Sequence, residues 1–128
     1  WIVQNFATDV RDVAVQAVLP SGVEWVGLVG GVPEDSSLTY DELSRSVVWE
    51  LGNVSATKGV LSAPLEVIFQ IVGVPESSHV GLFQPLLDVT RLTGSDVFTG
   101  VSLSASHPAL TTSLTDDPTV GVAGGIVQ

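Results

Sequence analysis

Apolar and polar residues alternate with a period of two along much of the chain. In Val13-Ala14-Val15-Gln16-Ala17-Val18-Leu19 every odd position is apolar. Val23 and Trp25 share a face in Val23-Glu24-Trp25-Val26. In Leu65-Glu66-Val67-Ile68-Phe69-Gln70-Ile71 the odd positions form an apolar face, with Glu66 and Gln70 opposite. Val97, Val101 and Leu103 share a face against Gly100, Ser102 and Ser104. Successive side chains of a strand point to opposite faces, so each pattern predicts a half-buried antiparallel strand.

Turn residues separate these runs. Pro20-Ser21-Gly22 makes a tight turn; Gly30–Ser37 and Gly73–Ser78 read as loops; Gly52-Asn53 and Thr93-Gly94-Ser95-Asp96 read as turns. Strands are predicted at 1–5, 13–19, 23–29, 46–51, 65–72, 86–92, 97–105 and 119–127. Ser37–Arg45 reads as one or two helical turns, capped by Ser37 or Thr39. Seven or eight strands with loops between them predict an all-β, two-sheet antiparallel sandwich. The core expected is Val15, Val23, Trp25, Trp49, Val67, Phe69, Ile71 and Val101.

Composition sharpens this picture. The chain has 128 residues, 45% of them hydrophobic and 14% charged. Mean hydropathy is +0.45, the reverse of an acidic disordered chain. There is no cysteine, which excludes disulfides and thiolate metal sites. Four Lys and Arg stand against 14 Asp and Glu, for a net charge of −10. Four scattered cations cannot displace the counterions of a nucleic acid, and no apolar run approaches the roughly 20 residues of a spanning helix. Neither nucleic-acid binding nor membrane insertion is expected. The start at Trp1 lacks the basic and apolar regions of a signal peptide. It reads as a processed end or as a piece of something longer.

Some of these marks come in a recognisable order. Asn5 ends a first strand, Leu19-Pro20-Ser21-Gly22-Val23-Glu24-Trp25 follows an alternating strand, and Trp49-Glu50-Leu51-Gly52 precedes a long amphipathic one. The series resembles the conserved-repeat domain of prokaryotic cell-surface proteins, catalogued as domain of unknown function eleven. It covers most of residues 1–105. Leu92–Gly100 and Pro108–Leu114 look like stretches of long repetitive surface proteins. The segment after Gly52 is longer than the family's, and its late Asn-x-Ala element is not evident near 86–90. The resemblance implies an immunoglobulin-like sandwich that serves as a tandem spacer outside the cell, and it brings no catalytic residues.

Candidate chemistry is sparse. His79 and His107 have no ligand partner at i+2 or i+4, and a Ser95-His79-Asp88 set is no more than any serine-rich chain permits. No enzymatic role is expected. Calcium takes six to eight oxygen ligands, which paired loop carboxylates supply. Asp116 and Asp117, with Asp96, are the candidate calcium ligands at a module junction, and no other cofactor is expected. Asn53-Val54-Ser55 is a glycosylation sequon in a predicted exposed turn. Lys58, the only lysine, with Asn5 or Asn53 is the weakest candidate, for an internal isopeptide crosslink.

The end of the chain differs from the rest. We divide the sequence into a sandwich over 1–115 and a Gly-rich terminal strand or connector over 116–128. The tail carries no charge after Asp117, and its ending Ile126-Val127-Gln128 echoes Ile2-Val3-Gln4. An uncharged free strand joins other strands readily. Trp1, Ile2, Val3, Val120, Val122, Ile126 and Val127 are therefore the expected assembly residues, with the tail pairing to the first strand of a neighbouring copy. The function expected is a structural module of an extracellular surface polymer, filament or layer, with copies of itself or adjacent modules as partners. The alternative is an adhesin or carbohydrate-binding sandwich, with Trp1, Trp25 and Trp49 as a sugar platform.

Overall fold

A computed structural model describes residues 1–114, 117, 119, 121 and 124–128. Among the described residues eleven strands run in chain order: β1 (Ile2–Val3), β2 (Val10–Val18), β3 (Val23–Gly30), β4 (Ser37–Asp41), β5 (Ser46–Val54), β6 (Leu65–Glu66), β7 (Ile68–Gly73), β8 (Pro85–Leu87), β9 (Thr90–Asp96), β10 (Ser102–His107) and β11 (Leu110–Thr111). One 3-10 turn, Ser77–His79, is the only helical element among the described residues. The chain is all-β, and its strand pairs are antiparallel.

The strands form two layers. One is a five-stranded sheet in the order β10-β9-β2-β5-β4. The other is assembled from the pairs β3-β7 and β1-β6, with β8-β11 beside them. Valine and tryptophan fill the space between. Val10, Val13 and Val15 of β2 and Trp49, Leu51 and Val54 of β5 meet Val3 and Val67 of the second layer. Ala17, Leu19 and Val47 meet Val23 and Leu87. Burial of β-branched side chains whose χ1 is already restricted is the main stabilising term.

Sequence and structure part at identifiable places. β2 begins at Val10 because a bulge at Arg11-Asp12 shifts the register, so that Val10 and Val13, three apart, both point inward. Asp12 takes a φ of 54° there, and Gly52 opposite takes 65°, a conformation glycine adopts without strain. Gly52-Asn53 is thus part of β5 and not a turn. Ser37–Asp41 is a strand, not a helix: Leu38 and Tyr40 face inward between exposed Ser37, Thr39 and Asp41. The expected strand 86–92 is two strands, because the chain crosses from β8 to β9 at Asp88-Val89, where the Asp88 N–H reaches the Val18 carbonyl. Thr93–Asp96 is not a turn but the end of β9, and the turn lies at 97–100. Val101 consequently sits at the mouth of the β9-β10 hairpin, 58% exposed and outside the core. Of the other expected core residues, Trp25, Phe69 and Ile71 are half-buried against the second cluster and the rest are buried.

A buried amide fastens one end of the sandwich. Gln84 is 2% exposed, its Nε2 donates to the Gly22 carbonyl at 2.8 Å, and its backbone exchanges bonds with Thr112. Gly22 has a φ of 75°. The Gly22 carbonyl also accepts the Val74 N–H, so Gln84→Ala removes one of its two donors and leaves a small void where the buried amide packed, and it is expected to lower unfolding free energy in urea by about 1–2 kcal/mol. A loss under about 0.5 kcal/mol would show that the bond contributes nothing.

Candidate functional site

The second layer stops short. β1 is only two residues long and lies antiparallel to β6 with Ile2 opposite Glu66 and Val3 opposite Leu65. Trp1 extends this ladder: its ammonium donates to the Val67 carbonyl at 2.8 Å, and the Val67 N–H donates back to Trp1 at 3.0 Å. Main-chain groups of successive strand residues point to opposite edges. The groups of Val67 face β1, so those of Phe69 and Ile71 face the same way. No strand among the described residues covers them, since β7 pairs only with β3. Ile2 likewise turns its N–H and C=O away from β6, onto an edge that no strand among the described residues pairs with.

An apolar groove lies where this layer ends. Two adjoining cavities of about 320 and 160 Å³ share Val3, Leu92 and Ala105 in their walls. Trp1, Ile2 and Val15 line the larger with Leu110 and His107, while Val10, Val13 and Leu103 line the smaller. Neither is lined by a carboxylate, a lysine or an arginine. The floor is the inward face of β9 and β10, and every residue of β10 is exposed.

The aromatic side chains do not form an open row. Trp49 is buried completely. Trp1 meets Phe69 edge-on at 4.9 Å, and Trp25 stacks on Tyr40 at 5.2 Å and lies 5.3 Å from Phe69. These contacts tie Trp1 to the half-buried rings of β3, β4 and β7, each worth about 0.5–1.5 kcal/mol beyond its buried area.

The candidate calcium ligands are occupied locally. Asp96 Oδ1 accepts the N–H groups of Phe98 at 2.8 Å and Thr99 at 2.7 Å, closing the β9-β10 turn. Asp117 Oδ1 accepts the N–H and hydroxyl of Thr119. Asp116 lies outside the described residues. No group of three or more His, Asp or Glu side chains suited to a cation occurs among the described residues. Asn53 is exposed near the end of β5, and Lys58 shares with it a polar recess that also contains Glu34 and Asp35. The Lys58 carbonyl accepts the Asn5 N–H, while Asn5 Nδ2 bonds the Thr8 and Val54 carbonyls. His79 Nδ1 accepts the Glu76 N–H, and His107 lies beside the Pro108 carbonyl.

The hydrogen bond from the Thr99 N–H, above all, holds the Asp96 carboxyl below its ordinary value. Its folded pKa is therefore lower than its unfolded one of about 3.9. The stability it contributes is present above that unfolded value and is lost as pH falls through the folded one. The protection of the Phe98 and Thr99 amides, relative to their intrinsic exchange rates at each pH, is expected to fall as this carboxyl protonates. In Asp96→Asn that step should be missing; an unchanged acid step in the variant would assign it to another carboxylate.

Of the expected assembly residues, Trp1 and Val3 contribute to the chain's own core, and Ile2 is exposed. Ile126 and Val127 bridge to Phe83 and Val80 of the same chain, and Val127 exchanges main-chain bonds with Gly81 and Leu82. Val120, Val122 and the expected boundary at 115/116 lie outside the described residues. The groove, and the edges of β1, β7 and β10 that no strand among the described residues covers, are features that alternation alone did not reveal. No protein family, curated protein or solved structure matches the chain.

Proposed function

We propose that the chain is a structural module of an extracellular surface polymer, filament or layer, in which copies associate by strand addition and apolar contact. The observation that carries this reading is the short second layer. It leaves an apolar groove without Asp, Glu, Lys or Arg in its described lining, beside strand edges whose main-chain groups await partners, and such edges are what soluble sheets ordinarily protect. The outer face of β3-β7 adds exposed Val26, Ile68 and Val72, an apolar patch of the kind that marks an interaction surface. On this reading the chain is not an enzyme, and its place is the cell surface.

The strand adjacencies support the immunoglobulin-like part of the proposal. β2 beside β5 beside β4, facing β3 beside β7, corresponds to strands B, E and D facing C and F of that sandwich. β9 lies along β2 where the first strand would run. The Leu19–Trp25 and Trp49–Gly52 motifs fall on the β2-β3 turn and on β5, and they support membership of the conserved-repeat surface family.

Size-exclusion chromatography and negative-stain microscopy of concentrated protein test the proposal. Large ordered assemblies are expected. A monodisperse monomer that is retained on immobilised polysaccharide would overturn it in favour of a carbohydrate-binding module.

A further inference from the structure

We infer that β10 is a self-pairing edge, at which two copies join antiparallel, β10 to β10, about a two-fold axis through Ser104. The inference rests on the reading that copies associate by strand addition, and it names the strand and the register.

The five-stranded sheet has two outer edges, β4 and β10. β4 ends on Asp41 and runs directly into Glu42, so charge guards it. β10 is Ser102-Leu103-Ser104-Ala105-Ser106-His107, with no carboxylate, lysine, arginine or proline. Its six residues pair with β9 in unbroken register, so no bulge turns the edge away. A flat, uncharged edge is an open template for another strand.

The direction of the main-chain groups follows from the hairpin. The Asp96 N–H donates to the Val101 carbonyl, which fixes the phase of the ladder. Leu103, Ala105 and His107 address β9, and Ser102, Ser104 and Ser106 turn their N–H and C=O outward. With Ser104 opposite its own copy, Ser102 falls opposite Ser106 of the second copy. Three hydrogen-bonded pairs form, each contributing two bonds. Leu103 then lies opposite Ala105 of the second copy on the groove side, and the apolar floors of the two grooves become one surface.

A second copy fits because β10 and the groove floor beside it form an apolar strip without carboxylates that can meet its own like. A two-fold contact sets each surface against itself, and a chain of net charge −10 repels its copy wherever carboxylates meet. β10 itself carries none, and Asp12, which shares a recess with Ser102 and Ser104, belongs to β2, two strands in from the edge. Arg91, across from Ser106, is one strand further in.

Cysteine substitution in this cysteine-free chain reads the register directly. Opposed residues of a hydrogen-bonded antiparallel pair lie about 5.5 Å apart between Cα atoms, within disulfide range. Under mild oxidation Ser104→Cys is expected to give mostly covalent dimer. Ser102→Cys, whose two copies would lie roughly 14 Å apart along the strands, is expected to crosslink at least tenfold more slowly. Ser104→Pro removes only an outward N–H and should abolish the pairing with an unchanged β-sheet spectrum; Ser104→Lys should do the same by charge. Equal crosslinking of the two cysteine variants, or association of Ser104→Pro and Ser104→Lys at wild-type strength, overturns the inference. If the wild-type protein still forms large assemblies in that case, the assembly reading stands and another strand carries it. A wild-type protein that remains monomeric overturns both.

Discussion

Replacing Trp49 with alanine is expected to cost about 3–5 kcal/mol of stability. For a domain of this size that corresponds to a fall of roughly 10–20 °C in melting temperature. Trp49 is 0% exposed. It sits on β5 between Leu38 of β4 and Val15 of β2 in the cross-strand register. It belongs to the cluster that includes Val3 and Val67 of the opposite layer. Alanine would leave a void that strands held by ladders on both sides cannot close. The indole also has a polar tether. Nε1–H donates to Ser36 Oγ at 3.2 Å, and that hydroxyl donates to the Pro33 carbonyl at 2.9 Å. Trp49→Phe keeps most of the volume and loses the tether, so its cost should fall to about 1–2 kcal/mol. Phe98→Ala, at a ring 94% exposed, should stay within about 0.5 kcal/mol of wild type. Calorimetry separates the three. A Trp49→Ala protein that melts with the wild type would mean that the ring does not pack as described.

The second large effect is expected at Arg45. Its guanidinium gathers three carbonyls of the β2-β3 turn. Nε donates to Leu19 at 3.0 Å, and Nη2 donates to Pro20 at 2.8 Å and to Val23. Its own carbonyl accepts the Leu19 N–H. One side chain from the β4-β5 turn thus holds the turn that contains Leu19-Pro20-Ser21-Gly22. Hydrogen bonds to a charged donor contribute about 1.5–3 kcal/mol each. The site is half-exposed, and water replaces part of what is lost. Arg45→Ala should therefore cost about 2–4 kcal/mol in urea unfolding. Arg45 also has a φ of 55°, which disfavours any residue with a Cβ. Arg45→Gly should recover about 1 kcal/mol relative to alanine. An alanine variant within about 0.5 kcal/mol of wild type would assign the turn's order to Pro20 and Gly22 alone.

The strands that alternation finds are those that lie half-buried and undisturbed: β2 from Val13 onward, β3, β5, and the 65–73 run. Each has one face on the core, so burial imposes its period directly on the residues. β4 has the same period in Leu38 and Tyr40, but Ser37 and Thr39 are also good helix caps, and local preference alone does not decide between the two. Arg11-Asp12 is hidden for a different reason. A bulge adds a residue, and the alternation then reads as a loop. At Thr93–Asp96 a turn-like composition lies inside a strand. Gly94 is required there because a Cβ would come within 2.6 Å of the Val10 side chain, and Asp96 supplies the acceptor for the turn that follows. The groove and the open edges depend on which strands stop early relative to others. That is a property of the assembled layers, carried by no short motif. The tail gave only a composition, uncharged and glycine-rich, and composition does not select the strand it meets.

The central claim is that copies join through strand edges that the short second layer and β10 leave uncovered. Backbone amide exchange, compared between dilute and concentrated protein, tests this most directly. The amides of Ser102, Ser104 and Ser106 should exchange freely in the dilute protein, with those of Ile2, Phe69 and Ile71. On concentration the β10 amides should gain at least tenfold protection, the amount expected when exposed N–H groups enter a ladder. The amides of Leu103 and Ala105, already bonded to β9, should change little. Identical exchange at every position across a hundredfold range of concentration would contradict the account.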